Sequence, residues 1–164
     1  MRLDLSKIIE NPGGSISYDC TLDTSDLDFP QVREYISAPH AAGMVKNTAG
    51  VLKLTGTLTA DMLCVCDRCG GEFKSEKVMD LDAVISDDES EIDDPDVFPL
   101  EDDGIDVDDI VRTLFVLDMD TKFLCSPDCK VLCPSCGKNL NLGPCSCGKE
   151  PDPRMAVLEQ LLDK

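Results

Sequence analysis

The sequence predicts an α+β protein: an antiparallel β-sheet, open or curled towards a barrel, with one short covering helix and a cysteine-rich carboxyl-terminal module. Three observations carry this. Two long runs, residues 51–65 and 73–85, alternate apolar and polar residues with the period of two expected of half-buried strands. A later run, residues 107–117, has helical spacing instead. Ten cysteines, mostly in closely spaced pairs, occur in a chain of 164 residues with no Trp and few aromatics, and a core of that composition needs a staple beyond apolar burial.

Taken in order, Ile16, Tyr18, Cys20 and Leu22 alternate with Ser17, Asp19, Thr21 and Asp23, which predicts a first strand over residues 15–23. Residues 32–46 supply another, and residues 47–50 turn the chain into Val51. Along residues 51–65, Leu52, Leu54, Leu58, Ala60, Met62 and Cys64 share one face, with Lys53, Thr55, Thr57, Thr59 and Asp61 on the other. Phe73, Met79, Leu81, Ala83 and Ile85 repeat the pattern, and CDRCGG between the two runs reads as the tip of an antiparallel hairpin. Residues 86–104 are rich in Asp, Glu and Pro, too polar to bury, and read as a mobile acidic tether. Asp106 then offers a helix cap, Asp109 favours the first turn, and Val107, Ile110, Val111, Leu114 and Leu117 fall at helical spacing. A second short amphipathic helix closes the chain, with Asp152 as cap, Pro153 at its first position and Met155, Leu158, Leu161 and Leu162 on one side. The expected division is a β domain over 1–85, an acidic loop over 86–104, and the helix with the cysteine module over 105–164.

The formal charge of -18 is a segment rather than a surface. Fifteen Asp or Glu and no Lys or Arg lie between Asp80 and Val111, and the other eighteen acids nearly balance the fifteen bases. Such a segment repels nucleic acid, so a basic protein is the easier partner for it. No apolar run near the amino terminus is long enough for a signal-peptide core, and none elsewhere approaches a membrane span. A cytoplasmic location is expected, without membrane association. Thiols stay reduced there, and regularly spaced cysteines are then metal ligands or catalytic groups more often than disulfides.

Eight cysteines form four local pairs: Cys66 and Cys69, Cys125 and Cys129, Cys133 and Cys136, Cys145 and Cys147. Four pairs make two tetrahedra, the thiolate geometry of structural zinc, and each close pair supplies two corners from one turn. Gly70 and Gly137, each following the second Cys of a CxxC, allow the backbone such a turn needs. This is a zinc-knuckle signature. Cys133, Cys136, Cys145 and Cys147 can close on themselves across GKNLNLGP, which leaves Cys125 and Cys129 to find two ligands at the hairpin tip, Cys66 and Cys69. The intervening chain is long, but closure cost grows only by about 0.6 kcal/mol per doubling of length. Cys64 competes with Cys66 as a ligand, yet its place on the apolar strand face, like that of Cys20, favours a buried core thiol. Two sites closed by four cysteines each leave no open coordination position, and with His40 the one histidine no Cys/His dyad can be built beyond that residue, which reads as a surface or loop histidine. A catalytic role is not expected, nor is a small-molecule substrate.

With the hairpin CDRC, the acidic spacer and short helix, CSPDCKVLCPSCGKNLN, the closing CxC and DPRMAVLEQLL, the chain resembles the YceD family over most of its length. The resemblance implies a ribosome biogenesis factor that supports accumulation of the large-subunit (23S) ribosomal RNA, with no established enzyme activity. Its partner would be that RNA, a pre-ribosomal particle or a basic ribosomal protein. Relatives without the last four cysteines tend to keep the hairpin pair together with Cys or His near the positions of Cys125 and Cys129, which implies the same long-range pairing. Two rival readings remain: a redox-responsive zinc switch, and a chaperone-like acidic protein that binds a basic partner.

Overall fold

In a computed structural model that describes residues 1–87 and 97–147, the alternating runs become the long strands of one sheet. The elements run β1 (Arg2–Asp4), α1 (Ser6–Ile9), β2 (Ser15–Thr21), β3 (Val32–Thr48), β4 (Val51–Val65), β5 (Glu72–Ser86), β6 (Val97–Pro99), β7 (Gly104–Asp106) and α2 (Val107–Leu117), followed by a 3₁₀ turn over Leu140–Leu142. The terminal helix expected over 152–162 and the middle of the acidic tether lie outside the described residues.

The sheet has strand order β2-β3-β4-β5-β6 and does not close. The curl towards a barrel is therefore corrected to an open sheet. Among the described residues β2 and β6 are its edges, only seven and three residues long beside the fifteen to seventeen of β3, β4 and β5, too short to pair with each other around a barrel. The pairing is antiparallel throughout except for β6, which adds to β5 in parallel through Val84↔Val97, Ile85↔Phe98 and Ser86↔Pro99. Val97–Pro99 falls within the stretch read from sequence as a tether; three residues are too few to show a period. β1 and β7 form a separate antiparallel pair that leads directly into α2.

Side-chain alternation decides what each face meets. Leu54, Leu58, Ala60, Met62 and Cys64 of β4 are buried, as are Met79, Leu81, Ala83 and Ile85 of β5, and they share a core with Leu5 and Ile8 of the α1 region and with Val107, Ile110, Val111 and Phe115 of α2. Burying a Leu such as Leu58 in this way contributes about 1.5–3 kcal/mol. Phe115 is fully buried and meets Phe29 edge-on, with ring centroids 6.2 Å apart. Leu117, placed by spacing on the apolar face, is instead 68% exposed: it is the last residue of α2, and Phe115 rather than Leu117 carries the final turn into the core.

Local chemistry explains the irregular points. The two-residue turn between β3 and β4 uses Ala49 at φ 55 and Gly50 at φ 95, the pair of positive φ values whose twist matches the flanking strands. Pro39 interrupts β3 where the register with β4 shifts between Ser37 and His40, so its missing N–H costs no ladder bond there. Gly43 and Gly56 are cross-strand partners beneath Tyr18, whose hydroxyl donates to the Thr55 carbonyl at 3.3 Å. A Cβ on either glycine would overlap that hydroxyl. At about 3.3 Å per residue the β4–β5 hairpin extends roughly 50 Å, and its tip, CDRCGG, stands at the end remote from the β3–β4 turn. No helix among the described residues is long and apolar enough to cross a membrane.

Candidate metal centres

The hairpin tip is a knuckle built from backbone geometry. Cys66 N–H donates to the Gly71 carbonyl (2.9 Å) and Gly70 N–H donates back to the Cys66 carbonyl (2.9 Å), with Gly70 at φ 66. The same arrangement recurs at Cys133: its N–H donates to the Lys138 carbonyl and Gly137 N–H to the Cys133 carbonyl, both at 2.8 Å, with Gly137 at φ 72. Both CxxC elements thus hold their two sulfurs on one side of a tight turn whose left-handed residue is glycine.

Chain 118–129 brings the second pair to the first knuckle. Leaving α2, it buries Met119 and Phe123 against the core. Asp67 then grips it twice: Asp67 N–H donates to the Phe123 carbonyl (2.9 Å), and the Asp67 carboxylate accepts from Phe123 N–H (2.7 Å). Arg68 donates from one nitrogen to the carbonyls of Pro127 (3.2 Å) and Cys129 (3.1 Å). The residues between the cysteines of the hairpin are therefore clamps on the incoming segment. Neither role is read from the sequence; their position inside the CxxC was the available signal.

The outcome is two separate quartets. Cys66, Cys69, Cys125 and Cys129 form the first, and Cys133, Cys136, Cys145 and Cys147 the second, with every Sγ within 4.8 Å of the others in its group. Cys66 to Cys129 is 3.6 Å and Cys69 to Cys125 is 3.8 Å. Four sulfurs at about 2.3 Å from a tetrahedral zinc stand about 3.8 Å apart, so the first quartet fits that ion. Phe73 and Leu124 pack against it, and of its four members only Cys125 is exposed. The second quartet is more open, with Cys133 buried and Cys136 exposed. Cys64 and Cys20 stand in the main hydrophobic core, as their strand faces require, and Cys66 rather than Cys64 joins a quartet. His40 is exposed, and its ring lies 3.1 Å from the Asp19 carboxylate.

Electrostatics mark both quartets as concentrations of sulfur charge. Burial opposes ionisation of Cys66, but backbone N–H groups of Cys125, Cys69 and Arg68 outweigh it and bring the thiol down to about 6. The N–H groups of Cys136 and Ser135 do the same for Cys133, also to about 6. Within each quartet another thiol is pushed the opposite way, to about 12: Cys125 chiefly by Cys129, and Cys147 chiefly by Cys136. One sulfur is prepared as a thiolate and its neighbours then resist a second charge, a conflict that a divalent cation at the centre relieves.

A family model described as "Large ribosomal RNA subunit accumulation protein YceD" matches residues 54–162, from near the start of β4 through both quartets. No curated protein and no solved structure matches the chain significantly.

Proposed function

The chain belongs to the YceD family of large ribosomal RNA subunit accumulation proteins, and from that membership we propose a non-catalytic ribosome biogenesis factor that supports accumulation of 23S ribosomal RNA in the cytoplasm. Its eight paired cysteines are the ligands of two structural zinc ions. The observation that carries the zinc reading is the pair of four-cysteine groups, each with all Sγ atoms within 4.8 Å. Zinc held by four thiolates would supply folding energy and a fixed surface, with no open position for substrate. Around it, Asp67 and Arg68 orient the chain that carries the second ligand pair.

The partner is a pre-ribosomal particle, engaged through a basic protein rather than through bare RNA. Support comes from the solvent face of the sheet, where Asp61 and Glu76 stand directly opposite each other on β4 and β5, with Asp80 further along the same face and Asp82 beyond it already paired with Lys53 at 2.8 Å. Directly opposed like charges are unfavourable in the free protein, and a cationic partner relieves them. Two measurements test the proposal. Mass spectrometry of the intact protein should find two zincs per chain, and none would end the zinc reading. Depletion should lower 23S relative to 16S RNA, with the protein co-sedimenting with immature large subunits; an unchanged RNA profile would remove the biogenesis role.

The redox-responsive zinc switch is the second reading, favoured by the exposure of Cys125 and Cys136 and opposed by the burial of Cys66 and Cys133, the two thiols brought down to about 6. It expects zinc release on titration with dilute peroxide, and retention of both ions under that treatment would exclude it.

A further inference from the structure

The two quartets touch through one side chain. Asn141 lies on the 3₁₀ turn Leu140–Leu142, inside the loop that the second quartet closes between Cys136 and Cys145. Its amide reaches across to the first quartet: Nδ2 donates to Cys129 Sγ at 3.4 Å and to the Lys130 carbonyl at 2.9 Å, while Oδ1 accepts from Lys130 N–H at 2.7 Å. That last bond settles the amide's orientation. A backbone N–H can only donate, so Oδ1 must face Lys130 and the NH₂ group must face the sulfur. Asn139 holds the turn in place, its Oδ1 accepting from the backbone N–H of Asn141 (2.9 Å) and lying 2.8 Å from Nδ2, whose two hydrogens are thus shared among Asn139 Oδ1, the Lys130 carbonyl and Cys129 Sγ. Leu140 N–H completes the docking with a bond to the Val131 carbonyl (3.3 Å), beside the bridge between Leu132 and Asn139.

We propose that Asn141 is a positioning residue that couples the two metal centres: closure of the second quartet presents its amide to the Cys129 thiolate of the first, so each centre binds metal more tightly when the other is filled. The proposal rests on the zinc reading above. Its physical basis is the hydrogen bond from outside the ligand set. A donor to a coordinated sulfur spreads thiolate charge and fixes the sulfur's direction, and loss of such outer partners typically weakens metal binding about 10- to 100-fold. The amide is delivered by a short loop with little apolar anchorage, since Leu142 is 84% exposed. Without metal in the second quartet, the loop between Cys136 and Cys145 loses its closure and Asn141 is held only by the bonds to Lys130, Val131 and Asn139. Linkage makes the effect reciprocal, so loss of the first centre weakens the second by the same factor.

Zinc(II) competition titrations of the full chain against a chromogenic chelator test this. The wild type is compared with Cys145→Ser/Cys147→Ser, which leaves only the first centre, and with Cys66→Ser/Cys69→Ser, which leaves only the second. The product of the two affinities in the wild type should exceed the product from the single-centre variants by about tenfold. Asn141→Asp keeps the acceptor for Lys130 N–H but replaces the donor facing Cys129, and in that background the excess should vanish while both zincs still bind. Circular dichroism of the sheet checks that each variant is folded. Two zincs bound independently in the wild type, or an excess unchanged by Asn141→Asp, would overturn the coupling alone. Fewer than two zincs in the wild type would overturn the zinc reading, and the coupling with it.

Discussion

Asn47 is the buried polar residue of the core, 1% exposed, and it spends both ends of its amide on backbone. Nδ2 donates to the carbonyls of Ile8 and Ile9, both at 2.8 Å, and Oδ1 accepts from Gly50 N–H at 2.9 Å. It ties the end of α1 to the β3–β4 turn. Asn47→Ala would strand the Ile8 carbonyl away from water, while the Ile9 carbonyl and the Gly50 N–H can turn to solvent, and should cost about 1–2 kcal/mol, read as a fall in the denaturant midpoint at unchanged m-value. From sequence Asn47 is only the first residue of a turn; its partners lie 38 and 39 residues away, where no local pattern reaches. A second residue-scale prediction concerns alkali. Burial pushes Tyr18 and Tyr35 up from 10.0 to about 12, and burial, then Asp108, pushes Cys20 up from 9.0 to about 11. Below pH 9 these groups are neutral in both states and their contribution is intact. From 9 towards 12 the unfolded chain ionises first and binds fewer protons than the folded one, so stability falls as pH rises. Thermal melts at about pH 8 and about pH 11 should show a lower midpoint in the alkaline sample, with tyrosinate absorbance rising as the protein unfolds rather than before.

Among the elements, α2 was legible at its start and not at its end. Asp106 caps it as its sequence position predicts, accepting from Asp108 N–H at 3.0 Å, and Asp108 and Asp109 fill the first turn. Its last turn contains no basic residue, so nothing nearby in sequence answers the helix dipole. Lys77 of β5 does so instead. Its ammonium donates to the Asp118 carbonyl at 2.6 Å and pairs with the carboxylates of Asp118 (2.9 Å) and Asp120 (3.7 Å), while its own side chain is only 13% exposed. On an alternating strand Lys77 falls on the inward face between Phe73 and Met79, which reads as an exception to the pattern until the helix end above it is known. Lys77→Met should keep the aliphatic packing and lose the charge. The expected cost is about 1–2 kcal/mol, near the upper end for a partly buried helix-terminal cation. Native hydrogen exchange should locate it by faster exchange in the last turn of α2 and across Asp118–Phe123, with β3 and β4 unaffected. Equal acceleration everywhere would show that Lys77 supports the sheet as a whole instead.

At the scale of the whole molecule, the grouping of eight cysteines into two quartets was readable, because a CxxC confines two sulfurs to one turn and closure cost hardly depends on the chain between pairs. The supports of those quartets were not, since Asp67, Arg68 and Asn141 act through backbone carbonyls, backbone amides and a sulfur brought near only by folding. This difference bears on what metal removal does. The main apolar core runs from Leu5 to Phe123 and includes the sheet, α1 and α2 without any of the eight paired cysteines. The first quartet has a cluster of its own, in which Phe73 and Leu124 are the apolar neighbours of the buried sulfurs. Beyond Phe123, the described contacts that join the carboxyl-terminal module to the hairpin are the packing of Leu124, the pair of Arg68 hydrogen bonds and whatever the sulfurs share. Without a cation they share protons unevenly, with Cys66 at about 6 and Cys125 at about 12. Chelation should therefore release residues 124–147 while β3, β4 and β5 keep their protected amides, because their burial does not depend on the thiols. Hydrogen exchange with and without a strong zinc chelator reads this directly, and sufficient acidification should reproduce it, since protons compete with the metal for the thiolates. Loss of protection throughout the sheet would make zinc a condition of the entire fold. No change at 124–147 would leave the Asp67 and Arg68 clamps sufficient without metal.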